Sequence, residues 1–303
     1  MASTADPLLV PEHLPYTCEP DICYKEDGGR KKHHLDMFVP VIAATSTSAG
    51  EAPSAPPPRP LMVFFHGGGW QRGDRRFFHG LYGNIGASFA ARGYPTAVVS
   101  YRLSRSPLLA VFLGYGALAA IIAGLVVAIG AGDVEFLPVW LPLWATGVVI
   151  RLCVLPWGQD QVQHPGHVAD CAAAVAFLQR NAARFGADPA RIVLSGHSAG
   201  GHLATMLVLE PSHLRAAGAD PAAIKAVVGL SGVYSHRFPS AVVTRGFRAL
   251  YVRPAFGDDP GLWEEMFPIA HAHKWARKDG AAGAGGDGGG APAATAAAAG
   301  GGG

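Results

Sequence analysis

The stretch that decides the fold is RIVLSGHSAGGHLATML, residues 191–207. A short apolar strand pattern, RIVLS, runs into a Gly-x-Ser-x-Gly turn and then into an apolar helix, an arrangement that lifts the hydroxyl of Ser198 above a sheet. Gly196 and Gly200 suit such a turn because a Cβ at either position would collide with neighbouring backbone. The N–H of Ala199, at the start of the helix, would face negative charge developing on a bound carbonyl. The motif predicts Ser198 as a nucleophile, and a glycine-rich turn without chemistry is the alternative.

A second glycine-rich motif follows another apolar strand pattern, LMVFFH. It consists of His66, Gly67, Gly68, Gly69 and Trp70. Glycines at the end of a strand let N–H groups approach a charged oxygen closely, so we expect Gly67 and Gly68 to complete an oxyanion hole with Ala199. We expect the His66 side chain to order this loop by hydrogen bonding without transferring a proton, and Trp70 to pack beneath it. We expect the remaining glycine of the loop, Gly69, to support the backbone geometry of the site, as do Gly196 and Gly200 in the serine turn.

Four apolar runs predict the strands of a sheet. They lie near residues 61–66, 96–103, 191–195 and 226–234. Residues 165–185 space apolar side chains at helical intervals, and HHLDMFVP predicts an edge strand further upstream. Alternation of helices with nearly continuous apolar strands predicts an α/β fold with a doubly wound, mostly parallel sheet. The four strands are expected to be adjacent and parallel.

Charge and cysteine content exclude several functions. The 303 residues carry 24 Lys and Arg against 22 Asp and Glu, a formal net charge of +2, which gives no basic surface for a nucleic acid. The four cysteines are too few and too scattered for a disulfide framework, and no Cys/His cluster has the spacing of a metal site. We therefore expect free thiols, no metal, no other cofactor and no nucleic-acid partner.

Together these motifs resemble the HGG-type serine esterases of the α/β-hydrolase superfamily, which include hormone-sensitive-lipase-like, feruloyl-esterase-like, kynurenine formamidase and prenylcysteine methylesterase branches. The resemblance is carried by FFHGGGW, SYRL, HPGHVADCAAAVAFL, RIVLSGHSAGGHLATML and GLSGVY, over residues 61–103 and from residue 164 to about 270. It implies an α/β-hydrolase fold, a serine acyl-enzyme and a small-molecule ester substrate.

Within this group the chain looks most like the isoprenylcysteine methylesterases, because GLSGVY is followed by SAVVTRGFRALYVRPAFGDDPGLWEEMFP. That similarity implies hydrolysis of the carboxyl methyl ester of a prenylated cysteine, a greasy substrate met at a membrane surface. The triple-glycine loop behind His66 is more like that of arylformamidases and general carboxylesterases, so both remain alternatives.

The acid and the base of a catalytic triad are not found in the sequence. In this fold both follow the serine in the chain, on loops after the last strands, yet no apolar strand pattern with a following Asp lies beyond Tyr234. The available substitutes, for which we expect no triad role, are Asp258, Asp259, Asp279, His236, His271 and His273. His197 and His202 flank the turn and are expected to pack or to order it. The chain is therefore expected to be C-terminally incomplete. The alternative of another class is a non-catalytic hydrolase-fold membrane protein.

An apolar insert interrupts the α/β pattern at residues 108–157. Its first part, 108–132, contains no charge and is long enough to cross a bilayer. Its second part is nearly as apolar, with Arg151 as its only charge. It also contains tryptophans of the kind enriched at membrane interfaces, Trp140, Trp144 and Trp157. We expect a transmembrane hairpin, since both halves of the surrounding domain must emerge on one side of the membrane to fold together.

Charges around the insert predict its orientation. Arg102 and Arg105 precede the first stretch, whereas Asp133 and Glu135 occupy the turn between the two. The positive-inside rule then places the catalytic domain in the cytosol, at an endoplasmic reticulum or Golgi membrane. Three prolines and Arg151 favour an irregular or shallow second span. A hydrophobic lid, translated intron sequence and a soluble cytoplasmic enzyme remain alternatives.

The sequence thus divides into five segments. These are an N-terminal part with edge strands and a Pro/Ala/Ser-rich loop (1–60), the first part of the hydrolase core (61–107), the apolar hairpin (108–157), the second part of the core with the serine turn (158–279) and a disordered Gly/Ala tail (280–303).

Overall fold

One mixed sheet of six strands forms the centre of the part of the chain that the structure describes. The structure is a computed structural model and describes residues 14–26, 32–42, 57–104, 124 and 161–282. The strands are β1 (Tyr16–Cys23), β2 (His34–Pro40), β3 (Arg59–Phe65), β4 (Thr96–Val99), β5 (Ala187–His197) and β6 (Ile224–Leu230). Their order across the sheet is β1-β2-β4-β3-β5-β6.

The parallel part of the sheet confirms the predicted strand arrangement. β3 pairs in parallel with β4 on one side and with β5 on the other, and β5 pairs in parallel with β6. The four apolar runs of the sequence are therefore adjacent and parallel. Their bounds differ from the prediction, because β4 already ends at Val99 and β6 covers Ile224–Leu230 instead of 226–234.

The predicted edge strand HHLDMFVP lies one position inside the edge of the sheet. It is β2, which pairs antiparallel with both β4 and β1. The carboxylate of Asp36 in β2 accepts hydrogen bonds from the Nε–H of Arg75 and the Nε–H of Arg76, both at 2.8 Å. It also accepts the backbone N–H of Asp21 at 2.9 Å. These contacts tie the N-terminal hairpin to the chain segment that follows the glycine loop.

Helices cover the sheet on both faces. They are α1 (Phe77–Ala90), α2 (Gly166–Arg180), α3 (Ala199–Leu209), α4 (Ser212–Ala216), α5 (Ala241–Phe247), α6 (Arg253–Phe256) and α7 (Pro268–Ala282). Successive residues of β4 alternate between two apolar clusters, since side chains of a strand point to opposite faces. The smaller cluster joins Val98 to Phe64 of β3 and Tyr82 of α1, and the larger cluster contains the inner sides of α2 and α3.

Helix α2 fits the helix predicted over 165–185. Its apolar positions Val168, Cys171, Val175 and Leu178 are all fully buried. A 3₁₀ turn continues from the helix to Phe185. The helical spacing in the sequence therefore identified the face that packs on the sheet.

The outer face of β6 contradicts the prediction of a fully buried strand. Val228 and Leu230 are 45% and 46% exposed, whereas Val227 packs on the core. Helix α3 contacts β6, and β6 forms the border of the described sheet. The apolar pattern predicts which residues favour burial, but it does not say what would cover them.

The two described chain segments that flank the apolar insert lie side by side. Ser104 Oγ and His167 Nε2 are 2.8 Å apart, and Val162 N–H donates to the carbonyl of Leu103 at 3.2 Å. The described residues that precede the insert and those that follow it are therefore neighbours on the domain.

Two predicted segments fall mostly outside the described residues. They are the apolar insert at 108–157 and the Gly/Ala tail at 280–303, although α7 extends to Ala282. Among the helices of the described ranges, none combines the length and the apolar character needed to span a bilayer.

Candidate active site

Ser198 occupies a strained turn between β5 and α3. Its backbone has φ 52° and ψ −115°, a conformation that residues with a side chain rarely adopt. A Cβ on Gly196 would lie 2.3 Å from backbone atoms of Gly200, and a Cβ on Gly200 would lie 2.1 Å from the carbonyl oxygen of Phe65. Close backbone contact therefore requires glycine on both sides of the serine.

Hydrogen bonds hold this turn at the carboxyl edge of the sheet. Ser198 N–H donates to the carbonyl of Leu230 at 2.8 Å, and His202 N–H donates to the carbonyl of Ser198 at 3.1 Å. The parallel strands β3, β5 and β6 all end at this edge, where α/β proteins place their binding crevices. Ser198 is half-buried, and Ala199 begins the helix behind it.

The glycine loop after β3 faces the serine turn, but its hydrogen bonding differs from the expectation. The Gly67 N–H, which we expected to be free for an oxyanion, donates to the hydroxyl of Tyr82 at 3.1 Å. Gly68 and Gly69 have φ values of 127° and 60°, which favour glycine. Their N–H groups make no hydrogen bond within the described part of the chain. The Gly67 N–H is thus engaged within the protein, whereas that of Gly68 has no partner among the described residues.

His66 is buried beneath this loop and bonds to it. Its ring stacks on Tyr101 with a centroid distance of 4.3 Å, and its Nδ1–H donates to the carbonyl of Gly67 at 2.8 Å. The Tyr101 hydroxyl donates to the carbonyl of His66 at 2.8 Å. Burial lowers the pKa of His66 to about 3, so the ring is neutral at physiological pH. These contacts favour the supporting role expected for His66.

Trp70 packs under the loop. Its side chain is fully buried and meets Phe256 and His202 edge-on, at centroid distances of 4.9 and 5.1 Å. The Trp70 carbonyl accepts the N–H of Ser104 at 2.8 Å, which connects the loop to the segment that leads into the insert.

The two histidines next to Ser198 have separate structural roles. His202 is fully buried, and its Nε2–H donates to the carbonyl of Met266 at 2.9 Å. Burial lowers the pKa of His202 to about 3, which keeps it neutral among aromatic rings. His197 lies on the outer side of the turn, with Nδ1 3.1 Å from the Tyr82 hydroxyl.

Two of the three histidines considered as triad substitutes have other partners. His236 donates through Nε2 to Glu264 at 3.1 Å and accepts from Arg248 through Nδ1 at 3.0 Å. His271 donates through Nε2 to the carbonyl of Glu265 at 2.7 Å. His273 is exposed on α7.

Two of the three acidic substitutes are likewise engaged elsewhere. Asp258 forms an ion pair with Arg253, and Asp259 accepts the N–H of Gly261 at 2.8 Å. The side chain of Asp279 lies outside the described residues. Within the described ranges, the Ser198 hydroxyl has no hydrogen-bonded base.

Two tyrosines at the site were not identified from the sequence. Tyr82 joins the glycine loop to the serine turn, and the ring of Tyr251 lies where a Cβ on Gly69 would come within 2.6 Å of it. Arg72 donates to the Tyr251 hydroxyl at 3.4 Å. Tyr82 belongs to no motif, and Tyr251 lies in the segment after GLSGVY that resembles the methylesterases, where no pattern marks it as a site residue.

The chain matches the family described as BD-FAE over residues 51–111 and 158–237. The matched residues contain both the glycine loop and the serine turn. The match omits 112–157, which lie within the predicted insert.

Three curated relatives are similar to parts of the chain. Esterase LipQ of Mycobacterium tuberculosis (strain ATCC 25618 / H37Rv) is 29% identical over 118 residues, which cover 37% of this chain and 28% of that protein. The kynurenine formamidase-like hydrolase fscH of Fusarium equiseti is 29% identical over 119 residues, 38% of this chain and 36% of that protein. The isoprenylcysteine alpha-carbonyl methylesterase ICME of Arabidopsis thaliana is 39% identical over 72 residues, 22% of this chain and 17% of that protein. The chain therefore matches 17% to 36% of the length of these relatives.

The fold is also that of solved esterases. An inhibited esterase B from Lactobacillus rhamnosis superposes with a TM-score of 0.53 at 18% identity, covering 86% of this chain and 64% of that one. The chain has the α/β-hydrolase fold, as the two glycine motifs predict.

Proposed function

We propose that the protein hydrolyses carboxylic esters through an acyl-enzyme formed on Ser198. The observation that carries the proposal is the strained Ser198 backbone at the carboxyl edge of the sheet, beside a glycine loop in which the N–H groups of Gly68 and Gly69 have no hydrogen-bond partner among the described residues. Such strain costs on the order of 1–3 kcal/mol and is found mainly at functional sites. The similarity to esterases supports a nucleophilic serine as the reason for it.

In this mechanism Ser198 Oγ attacks the ester carbonyl, and the N–H groups of Gly68 and Ala199 donate to the oxyanion of the tetrahedral intermediate. The carbon–oxygen bond to the alcohol then breaks, and the alcohol leaves with a proton. Water attacks the acyl-enzyme and releases the carboxylic acid. A base must accept the Ser198 proton in the first step. None of the histidines and carboxylates whose partners are given above is assigned this role.

Within the ester class we propose the methyl ester of a prenylated cysteine as substrate. The support is the similarity to the methylesterase of Arabidopsis thaliana and the segment after β6 that resembles this branch. Similarity to an esterase and to a formamidase-like hydrolase favours general carboxylic esters or arylformamides as alternatives. Comparison of kcat/KM for a prenylcysteine methyl ester, a p-nitrophenyl ester and N-formylkynurenine distinguishes the three.

We also propose that the insert at 108–157 attaches the protein to a membrane and leaves the catalytic domain on the cytosolic side. The support is the charge-free stretch 108–132, the adjacent flanks of the insert, and a family match that omits 112–157. A prenylated substrate would reside in the same membrane.

The experiment that tests the ester hydrolysis compares wild-type and Ser198→Ala protein, expressed as the full chain, on short p-nitrophenyl esters. A fluorophosphonate probe provides a second measurement, because it labels an activated serine irrespective of the preferred substrate. Turnover that is undiminished in Ser198→Ala would refute the role of Ser198. Absence of both turnover and labelling in the wild type would favour the non-catalytic hydrolase-fold alternative.

A further inference from the structure

Tyr82 of α1 lies between the two halves of the candidate site. Its hydroxyl oxygen is 3.1 Å from the backbone nitrogen of Gly67 and 3.1 Å from Nδ1 of His197. The side chain is only 5% exposed, and its ring packs on Phe64 at a centroid distance of 5.5 Å. One side chain thus contacts both the loop after β3 and the end of β5.

One arrangement of protons satisfies both contacts and also gives the hydroxyl hydrogen a partner. The Gly67 N–H can only donate, so the Tyr82 oxygen accepts there. In this arrangement the hydroxyl hydrogen points to His197 Nδ1, and the ring proton of a neutral His197 lies on Nε2. Burial raises the pKa of Tyr82, so its hydroxyl keeps this hydrogen at neutral pH.

We propose that Tyr82 is a positioning residue that holds the glycine loop and the serine turn at a fixed separation. The inference rests on the proposed ester hydrolysis, in which the N–H groups of Gly68 and Ala199 must converge on one oxygen. Gly67 directly precedes Gly68, and His197 directly precedes Ser198. The Tyr82 hydroxyl therefore forms a hydrogen-bonded bridge between Gly67 and His197, the two residues that directly precede the reacting groups.

The packing around the bridge is tight. A Cβ on Gly67 would lie 2.6 Å from His197 Nδ1 and 3.1 Å from the Tyr82 hydroxyl. The loop and the turn are consequently in contact at this point. Because a hydrogen bond depends on direction, the Tyr82 hydroxyl restricts the relative position of the two segments more than apolar packing alone would.

The kinetic test compares Tyr82→Phe with the matched control Tyr94→Phe, whose side chain is 38% exposed in the turn after α1. A displacement of about 1 Å in a site can cost about 10²-fold in rate. We expect kcat on a p-nitrophenyl ester to fall about 10- to 100-fold in Tyr82→Phe with KM changed less than about twofold, because the loss concerns the transition state. Tyr94→Phe should match the wild type. Equal kcat values in wild type and Tyr82→Phe would overturn the inference while leaving the ester hydrolysis intact.

An NMR measurement reads the bridge without any turnover. In protein with ¹⁵N-labelled histidine, the His197 ring is assigned by its disappearance in His197→Gln. In the neutral ring we expect the proton on Nε2 and an Nδ1 shift that changes in Tyr82→Phe but not in Tyr94→Phe. A proton on Nδ1, or ring shifts identical in Tyr82→Phe and wild type, would overturn the bridge. If the wild type shows neither turnover nor fluorophosphonate labelling, the proposed function fails, and the NMR result decides the bridge separately.

Discussion

Asp170→Asn is expected to destabilise the domain strongly. The Asp170 carboxylate in α2 is fully buried and accepts two hydrogen bonds from Arg102, through Nε and Nη2, both at 2.7 Å. His33 and Lys25 of the N-terminal hairpin lie 3.2 and 3.5 Å from it. Burial opposes ionisation of Asp170, but the hydrogen bonds from His33 and Arg102 outweigh it and hold the pKa well below its usual value. The carboxylate thus connects α2 to the N-terminal hairpin and to Arg102 in the segment that follows β4.

The size of the effect follows from the burial of the partners. Removing one member of a buried ion pair costs about 3–5 kcal/mol. Arg102 and Lys25 are 18% and 37% exposed, so solvent reduces the effect to the lower end of this range, about 3 kcal/mol. Urea unfolding followed by tryptophan fluorescence measures it. Asp258→Asn is the control, because it removes the same charge from an ion pair with Arg253 in which both side chains are largely exposed, and its midpoint should not change.

The pH dependence provides an independent check. Because the pKa of Asp170 is lowered in the folded state, its stabilisation is fully present above the pKa of the unfolded chain, near 3.8, and is lost as the pH falls toward the folded value. The difference between wild type and Asp170→Asn should be constant above about pH 5 and should shrink below about pH 4. A difference below about 1 kcal/mol at pH 7, or one of equal size at pH 3 and pH 7, would refute this reasoning.

Three further predictions concern the nucleophile, the glycine after the serine turn and the membrane hairpin. Ser198→Ala should lower kcat for p-nitrophenyl esters by at least about 10³-fold and abolish fluorophosphonate labelling, whereas residual labelling would point to another nucleophile. Gly200→Ala should destabilise the protein by about 3 kcal/mol in urea unfolding, because its Cβ would meet the backbone oxygens of Phe65 and His66 at 2.1 and 2.6 Å. Gly246→Ala is its control, since a Cβ there meets nothing within 4 Å, and equal midpoints for the two variants would contradict the prediction. Protein expressed in cells should stay in the membrane fraction after carbonate extraction, and its release would refute the membrane hairpin at 108–157.

The strands and the serine turn could be predicted because their physical causes are local. An apolar run such as RIVLS favours a strand buried on both faces, and the Gly196 and Gly200 contacts arise within a few residues of Ser198 or at the adjacent strand end. The burial of α2 followed from helical spacing for the same reason. These features depend on residue type and spacing, which the sequence states directly.

The exposure of β6 could not be predicted, because it depends on what lies beside the strand. Val228 and Val227 are identical in type and adjacent in sequence, yet Val228 is 45% exposed while Val227 packs on the core. Alternation along a strand predicts that the two point to opposite faces, but only the assembled sheet determines which faces are covered.

The hydrogen bonding of the glycine loop shows the same limit at the site itself. The glycines of the loop predict N–H groups that donate to a bound oxyanion, but the Gly67 N–H donates to the hydroxyl of Tyr82 instead. The sequence could not identify this partner, because Tyr82 belongs to α1, which packs on β2 and β4 and places the Tyr82 ring against Phe64 of β3. The N–H that follows, on Gly68, has no hydrogen-bond partner among the described residues, and the proposed mechanism uses it as an oxyanion donor. Under that mechanism a residue outside both motifs decides which glycine N–H is available to the oxyanion, so Tyr82→Phe tests the assignment of the oxyanion donors as well as the bridge.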